Sequence, residues 1–320
     1  MYKYTPTFAV FFGALAILPD WTGLTLWNLI NAIILLLAIY YLPKFTDREK
    51  GIILLIVLIE LMTSMQNEQS NGLIAGLLVF TFGFLEKEKY AAATFCVVFS
   101  CFIKLFGIVG MALFLFYPKK WKLAIYSVGW TIFLFAVPLI FVDTAQYQNL
   151  LQSYGKLLTN DHNASLGYSV MGWLHSWFNV SVDKLSMVLV GVVIFMAPIS
   201  KLQNFKLQPF RLLTLTSILI WIVIFNHKAE SPTFILAMTG VAIWFVWSEK
   251  NIINITLFIL AFIFTSLSPT DIFPKYIRDE LVKPYTLKAV PCILIWIKII
   301  YDMFLLKPSR QEVILDQKDR

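Results

Sequence analysis

The chain has 320 residues, 59% of them hydrophobic and only 14% charged. That balance excludes an ordinary soluble domain, in which about a quarter of residues are charged. Lys and Arg number 26 against 19 Asp and Glu, a net charge of +7, and in a chain this apolar the excess reports cytoplasmic loops rather than a nucleic-acid surface.

In chain order, apolar stretches run over 7–18, 21–42, 52–65, 72–85, 90–103, 105–117 and 122–142, then 185–200, 211–226, 232–248, 251–267 and 287–306. They predict an all-α, polytopic transmembrane helical bundle, with 1–306 as a single transmembrane domain. Several stretches are too short to cross a bilayer of about 30 Å at 1.5 Å per residue. These are predicted to pair as short re-entrant helices, 52–65 with 72–85 and 90–103 with 105–117. A polar turn at membrane depth needs protein or a watery cavity over its freed backbone. The segment Gln66-Asn-Glu-Gln-Ser-Asn71 therefore implies a cavity, and Lys104 marks the second turn. Ser70 and Asn71 immediately precede an apolar helix, and capping is the role expected of Ser70.

Basic residues clustered at 44–50, 87–89, 119–122, 201–211 and 250 assign those turns to the cytoplasm, together with a tail over 307–320. The same threading makes 143–184 an external loop. Its Tyr147, Tyr154, Tyr168, Trp173 and Trp177 read either as an interfacial aromatic belt or as a sugar-stacking lid. The threading also leaves Met1 outside the membrane, so the chain is expected to be an N-terminally truncated copy of a longer membrane protein. A signal peptide ending near Ala14-Leu15-Ala16 is the competing reading.

The three cysteines, Cys96, Cys101 and Cys292, lack CxxC spacing, and no carboxylate cluster of the DxD kind is present to hold a divalent ion; no metal and no cofactor are expected. Lys104 sits in the middle of the apolar stretch 90–117, where an ammonium needs a polar partner or ligand. It reads as a phosphate contact or as a lysine snorkelling to an interface. Gln69 and Asn71 are candidates to hydrogen-bond the same ligand. The loop Asn226-His-Lys-Ala-Glu-Ser-Pro232 offers His227 and Lys228 as further phosphate contacts, or forms an ordinary polar turn before a helix-initiating proline.

A series of segments carries a resemblance. Glu68-Gln-Ser-Asn71, the apolar helix after it, Glu86-Lys-Glu-Lys89, Phe102-Ile-Lys104-Leu-Phe-Gly107 and Tyr117-Pro-Lys-Lys-Trp121 follow one another as a GQxN tip, a helix, a basic turn, an AxKxxP turn and a basic-Trp end. Tyr4-Thr-Pro6, Leu18-Pro-Asp-Trp21 and Leu26-Trp27-Asn28 look like a YxP…LP…LW stretch. This order resembles the membrane mannosyltransferases of glycosyltransferase family 87, in the GT-C superfamily, over roughly the first 120 residues. Glu68 departs from the pattern's Gly and Gly107 from its Pro, and either change can shift the turn that presents Lys104.

The resemblance implies a GT-C-like fold in the plasma (inner) membrane and an inverting hexosyltransferase of the cell envelope. Its donor would be a polyprenyl-phosphate sugar, mannose in that family, and its acceptor a lipid or glycan on the extracytoplasmic face. The carboxylate expected as base lies before the YxP stretch, upstream of Met1, so the resemblance supplies no catalytic residue here and implies that this chain is inactive or impaired. Transfer from a phosphate carrier needs cations at the leaving group; Lys104, His227 and Lys228 are the candidates, with Gln69 and Asn71 as hydrogen-bonding partners among the donor-binding residues. A secondary transporter or lipid flippase is the alternative, although the interrupted helices lie in one half of the chain only. A non-catalytic scaffold would leave Lys104 and the 66–71 tip without a purpose.

Overall fold

The structure is a computed structural model and describes residues 4–160 and 165–306; the tail expected over 307–320 lies outside them. Every regular element among the described residues is helical. The chain divides into two compact units, one formed by residues up to Phe114 together with Pro118–Ser165, the other by Leu115–Tyr117 and the chain from Leu166 onward.

The first unit contains α1 (Pro6–Ala16), α2 (Asp20–Tyr40), α3 (Asp47–Gln66), α4 (Asn71–Glu86), α5 (Tyr90–Ile103), α6 (Lys120–Ala136) and α7 (Thr144–Asn160). Local chemistry sets the boundaries. Thr46 and Glu49 form a reciprocal capping box at the start of α3, so that helix begins five residues before its apolar run. At its other end Glu68 takes a left-handed φ of 54°, with Gln69 N bonded to Ser64 O and Glu68 N to Met65 O. This is a Schellman ending, in which the left-handed residue usually is glycine. Glu88 repeats it at the end of α4, with φ 54° and Lys89 N on Phe84 O.

Helix α4 is the centre of this unit, buried at nearly every position. Its glycines explain which neighbour it takes: a Cβ on Gly76 would stand 2.9 Å from the backbone of Ile34 and Leu35, and one on Gly83 would stand 2.8 Å from the Tyr41 ring. Small residues let α4 and α2 approach backbone to backbone. Helices α3 and α4 are consecutive, as the re-entrant pairing expected, yet the closest face of α4 belongs to α2. The stretch 105–117 is not an α-helix but a 3-10 helix over Leu105–Phe116. It turns back along α5, where a Cβ on Gly107 would sit 2.8 Å from the Ser100 backbone and one on Gly110 would sit 2.8 Å from Val97.

The second unit contains α8 (Val170–Phe178), α9 (Lys184–Met196), α10 (Gln208–Ile224), α11 (Phe234–Trp247), α12 (Ile252–Ala261), the single turn α13 (Lys275–Ile277) and α14 (Val290–Leu305). Helices α10 and α11 are apolar on all sides and buried on all sides, the behaviour expected of core helices. Trp296 of α14 donates its Nε1 to Ser217 Oγ of α10 at 2.9 Å. Most of 143–184, read from sequence as a loop, is helical as α7 and α8. Helix α7 is amphipathic and rich in Gln, Ser and Asn, so a search for continuous apolar runs passes over it.

Two helices among the described residues, Asp20–Tyr40 and Lys120–Ile140 including a 3-10 extension, are long and apolar enough to cross a membrane. Both expose large apolar side chains, among them Ile33 and Leu37 of α2 and Ile125, Ile132 and Phe133 of α6. Contiguous exposure of this kind is poorly tolerated against water.

Candidate functional site

Helix α5 ends at Lys104, whose backbone leaves the helix in an extended conformation after donating its N–H to Ser100 O. The side chain is half-buried and reaches the α3–α4 turn, where Nζ donates to Gln69 Oε1 at 2.9 Å and to Asn71 Oδ1 at 2.8 Å. Neither carboxamide contact neutralises the ammonium charge. Because both oxygens accept from Lys104, both amide nitrogens are turned away from it as donors. Nζ also lies 5.9 Å from the centre of the Tyr4 ring, within cation–π range.

The turn is held from three directions. Trp27 of α2 donates Nε1 to Glu68 O at 3.1 Å. Ser70 Oγ donates to the Tyr4 hydroxyl at 3.3 Å, and the hydroxyl of Thr5 donates to the carbonyl of Phe102. Asn31, buried in α2, receives the Leu73 N–H at 2.8 Å and donates to Trp27 O at 3.0 Å. Asn31 thus caps α4 from a neighbouring helix. Ser70, expected to do so, occupies the N-cap position without a side-chain cap bond, because its hydroxyl is turned to Tyr4.

The YxP, LW, 68–71 and 102–107 segments, separated by up to a hundred residues, therefore close into one cluster around the Lys104 ammonium. Residues 2–269 match the family model of glycosyltransferase family 87. The chain belongs to that family. It is accordingly a membrane glycosyltransferase, acting on a sugar donor and an acceptor, and the transporter and scaffold readings fall away. No curated protein matches the chain.

Within this family 87 chain, the other predicted residues, His227 and Lys228, belong to the second unit. Lys228 N bonds Asn226 Oδ1 at 3.0 Å, and Ala229 O accepts from Tyr168 N at 2.9 Å. Gly167, at φ 52°, makes that contact possible: a Cβ there would stand 2.8 Å from both His227 O and Ala229 O. The loop is thus a shaped element pinned to the start of α8. The same unit holds a lysine that sequence reading did not single out. Lys288 is 2% exposed, its Nζ donates to Thr265 O at 3.0 Å and stands 5.2 Å from the Phe234 ring at the start of α11. In the first unit Glu60, fully buried in α3, was likewise passed over. The signal was available for both, since each is a charged residue within an apolar run of the sequence, the criterion that selected Lys104.

No group of three or more His, Cys, Asp or Glu able to hold a metal ion occurs among the described residues. A cavity of about 690 Å³ lies against α1, the turn at Pro138 and α7, with Tyr4, Val10, Phe141 and Leu157 in its walls. Tyr4 therefore stands between this apolar cavity and Lys104.

Proposed function

We propose that the chain is a multi-pass membrane protein whose Lys104, Gln69 and Asn71 bind the phosphate of a polyprenyl-phosphate sugar donor. The transferred sugar would be a hexose, mannose by the family resemblance, and the acceptor a lipid or glycan on the extracytoplasmic face. One observation carries the reading: an ammonium at the end of an apolar helix is met by the carboxamide oxygens of Gln69 and Asn71, in the turn around which the family segments gather. A phosphate oxygen at this position would meet the ammonium in a site of reduced dielectric, where such a contact is strong. These groups stabilise a departing phosphate without a metal. Inversion at the sugar carbon requires in addition a base at the acceptor hydroxyl, a role assigned to none of these residues.

The cavity beyond Tyr4 suits the isoprenoid chain of such a donor, because it is apolar and shares the Tyr4 ring with the charged cluster. His227 and Lys228 are carried forward as donor-binding candidates of the second unit. The exposed apolar faces of α2, α3, α6, α9 and α12 support the multi-pass reading.

The test is binding of undecaprenyl phosphate to the purified chain in neutral detergent. Lys104→Gln should weaken it about tenfold to a hundredfold, the value of a charge-assisted hydrogen bond, whereas Lys104→Arg should retain most of it. Equal binding of undecaprenyl phosphate and undecaprenol, or full binding by Lys104→Gln, would overturn the proposal.

A further inference from the structure

We propose a second ligand site, for the phosphate headgroup of an anionic membrane phospholipid, at the N-terminal ends of α5 and α6. It rests on the membrane assignment of the family and is independent of the donor proposal. Helix α5 is 14 residues long, so this end lies about 20 Å along the helix axis from Lys104.

The two helices start alike. Lys89 precedes α5, Lys119 precedes α6, and neither start is capped by a side chain. First-turn N–H groups at such ends favour anions. Between them lies a pocket of about 420 Å³ whose walls include Lys89, Lys119, Lys122, Tyr90 and Tyr126. Glu88 is also in the wall and bonds Lys119 at 3.0 Å, which offsets one ammonium and raises the Lys119 pKa through that hydrogen bond. Lys89 and Lys122 make no ion pair among the described residues, so the pocket keeps an excess of positive charge. Tyr90 adds an independent sign of a missing ligand: it is 6% exposed, it lines the pocket, and its hydroxyl has no hydrogen-bond partner. Buried hydroxyls are normally satisfied, and a phosphate oxygen would be an acceptor for this one.

The surface beside the pocket selects a lipid over a soluble anion. Trp121, Ile125, Val128 and Ile132 are each 58–65% exposed and recur at helical spacing along one face of α6. The stripe begins at the pocket's edge and runs away from it. A headgroup in the pocket would lay its acyl chains along this stripe, whereas free phosphate gains nothing from it. Basic pockets between helices are a known way of holding anionic headgroups.

The chain, reconstituted in nanodiscs of equal parts phosphatidylglycerol and phosphatidylcholine, should release into native mass spectrometry with phosphatidylglycerol retained preferentially. Each pocket lysine removed should lower that retention about fivefold, giving about 25-fold for K89Q/K122Q. E88Q should retain the lipid at least as well as the unchanged chain, and K156Q/K275Q, which removes two exposed lysines elsewhere, should match it. Equal loss in K156Q/K275Q would reduce the effect to net charge and overturn the site, as would full retention by K89Q/K122Q. Complete displacement by millimolar inorganic phosphate would overturn the choice of a lipid. Undecaprenyl phosphate binding by K89Q/K122Q should be unchanged, which separates failure here from failure at Lys104.

Discussion

The turns at the two ends of α4 share a backbone and differ in what they do with it. Both close a helix with a glutamate at φ 54°, Glu68 before the Gln69–Asn71 tip and Glu88 before Lys89. At the first, two carboxamides hold a half-buried lysine and Trp27 fastens the turn to α2. At the second, Glu88 meets Lys119 where both side chains are well exposed. The same Schellman geometry thus yields a built cation site where neighbouring helices cover it and an open, solvated ion pair where they do not. Environment, more than the turn itself, gives each lysine its weight.

The largest expected effect tests that contrast directly. Lys104→Gln should cost about tenfold or more in undecaprenyl phosphate binding, whereas Lys119→Gln should change it less than twofold, because an exposed pair contributes little. Equal effects at the two lysines would break the comparison. Next comes the support of the tip: Asn31→Leu removes a buried cap and leaves the Leu73 N–H unpaired. It should destabilise the chain by about 2–3 kcal/mol, seen as a lower unfolding midpoint, and should weaken undecaprenyl phosphate binding in parallel. A change confined to stability would show that the tip keeps its shape without Asn31.

A smaller effect of opposite sign is expected at the two glutamates. Glu68→Gly should stabilise the fold by about 1 kcal/mol, since a left-handed glutamate costs about that relative to glycine. Glu88→Gly should give less, because it also removes the contact with Lys119; equal gains would show that this contact contributes nothing. The smallest effect is at the start of α9, where the Asp183 carboxylate accepts from Ser186 N at 2.9 Å and that bond holds its pKa below the usual carboxylate value. A lowered native pKa means the cap is in force above about pH 4 and is lost as pH falls through the native value. Hydrogen exchange at the Ser186 amide should therefore show less protection at pH 3 than at pH 6, a difference that Asp183→Asn should abolish.

Much of this was legible in the sequence for a physical reason. An isolated lysine in an apolar run, and a polar sextet between two apolar runs, are each too costly in a bilayer to be incidental, so Lys104, Gln69 and Asn71 stand out before any fold is known. Two things did not stand out. Asn31 sits forty residues from the helix it caps, and local reading gives that role to Ser70, the nearest hydroxyl. Helices α7 and α8 lack continuous apolar runs, so the hydropathy that finds the other elements leaves them as loop. His227 and Lys228 were legible as a polar loop, but the part played by Gly167 in shaping it depends on a contact sixty residues away.

The close contact of Gly107 with Ser100 and Cys101 fixes how the chain leaves Lys104. Gly107 N donates to Lys104 O at 3.0 Å, and a side-chain carbon at 107 would fall 2.3 Å from Ser100 Oγ. Restoring the proline of the family pattern would remove that donor and push the 3-10 segment off α5. Glycine here and the proline that the resemblance implies are therefore two different hinges, each setting its own height for the lysine that precedes it.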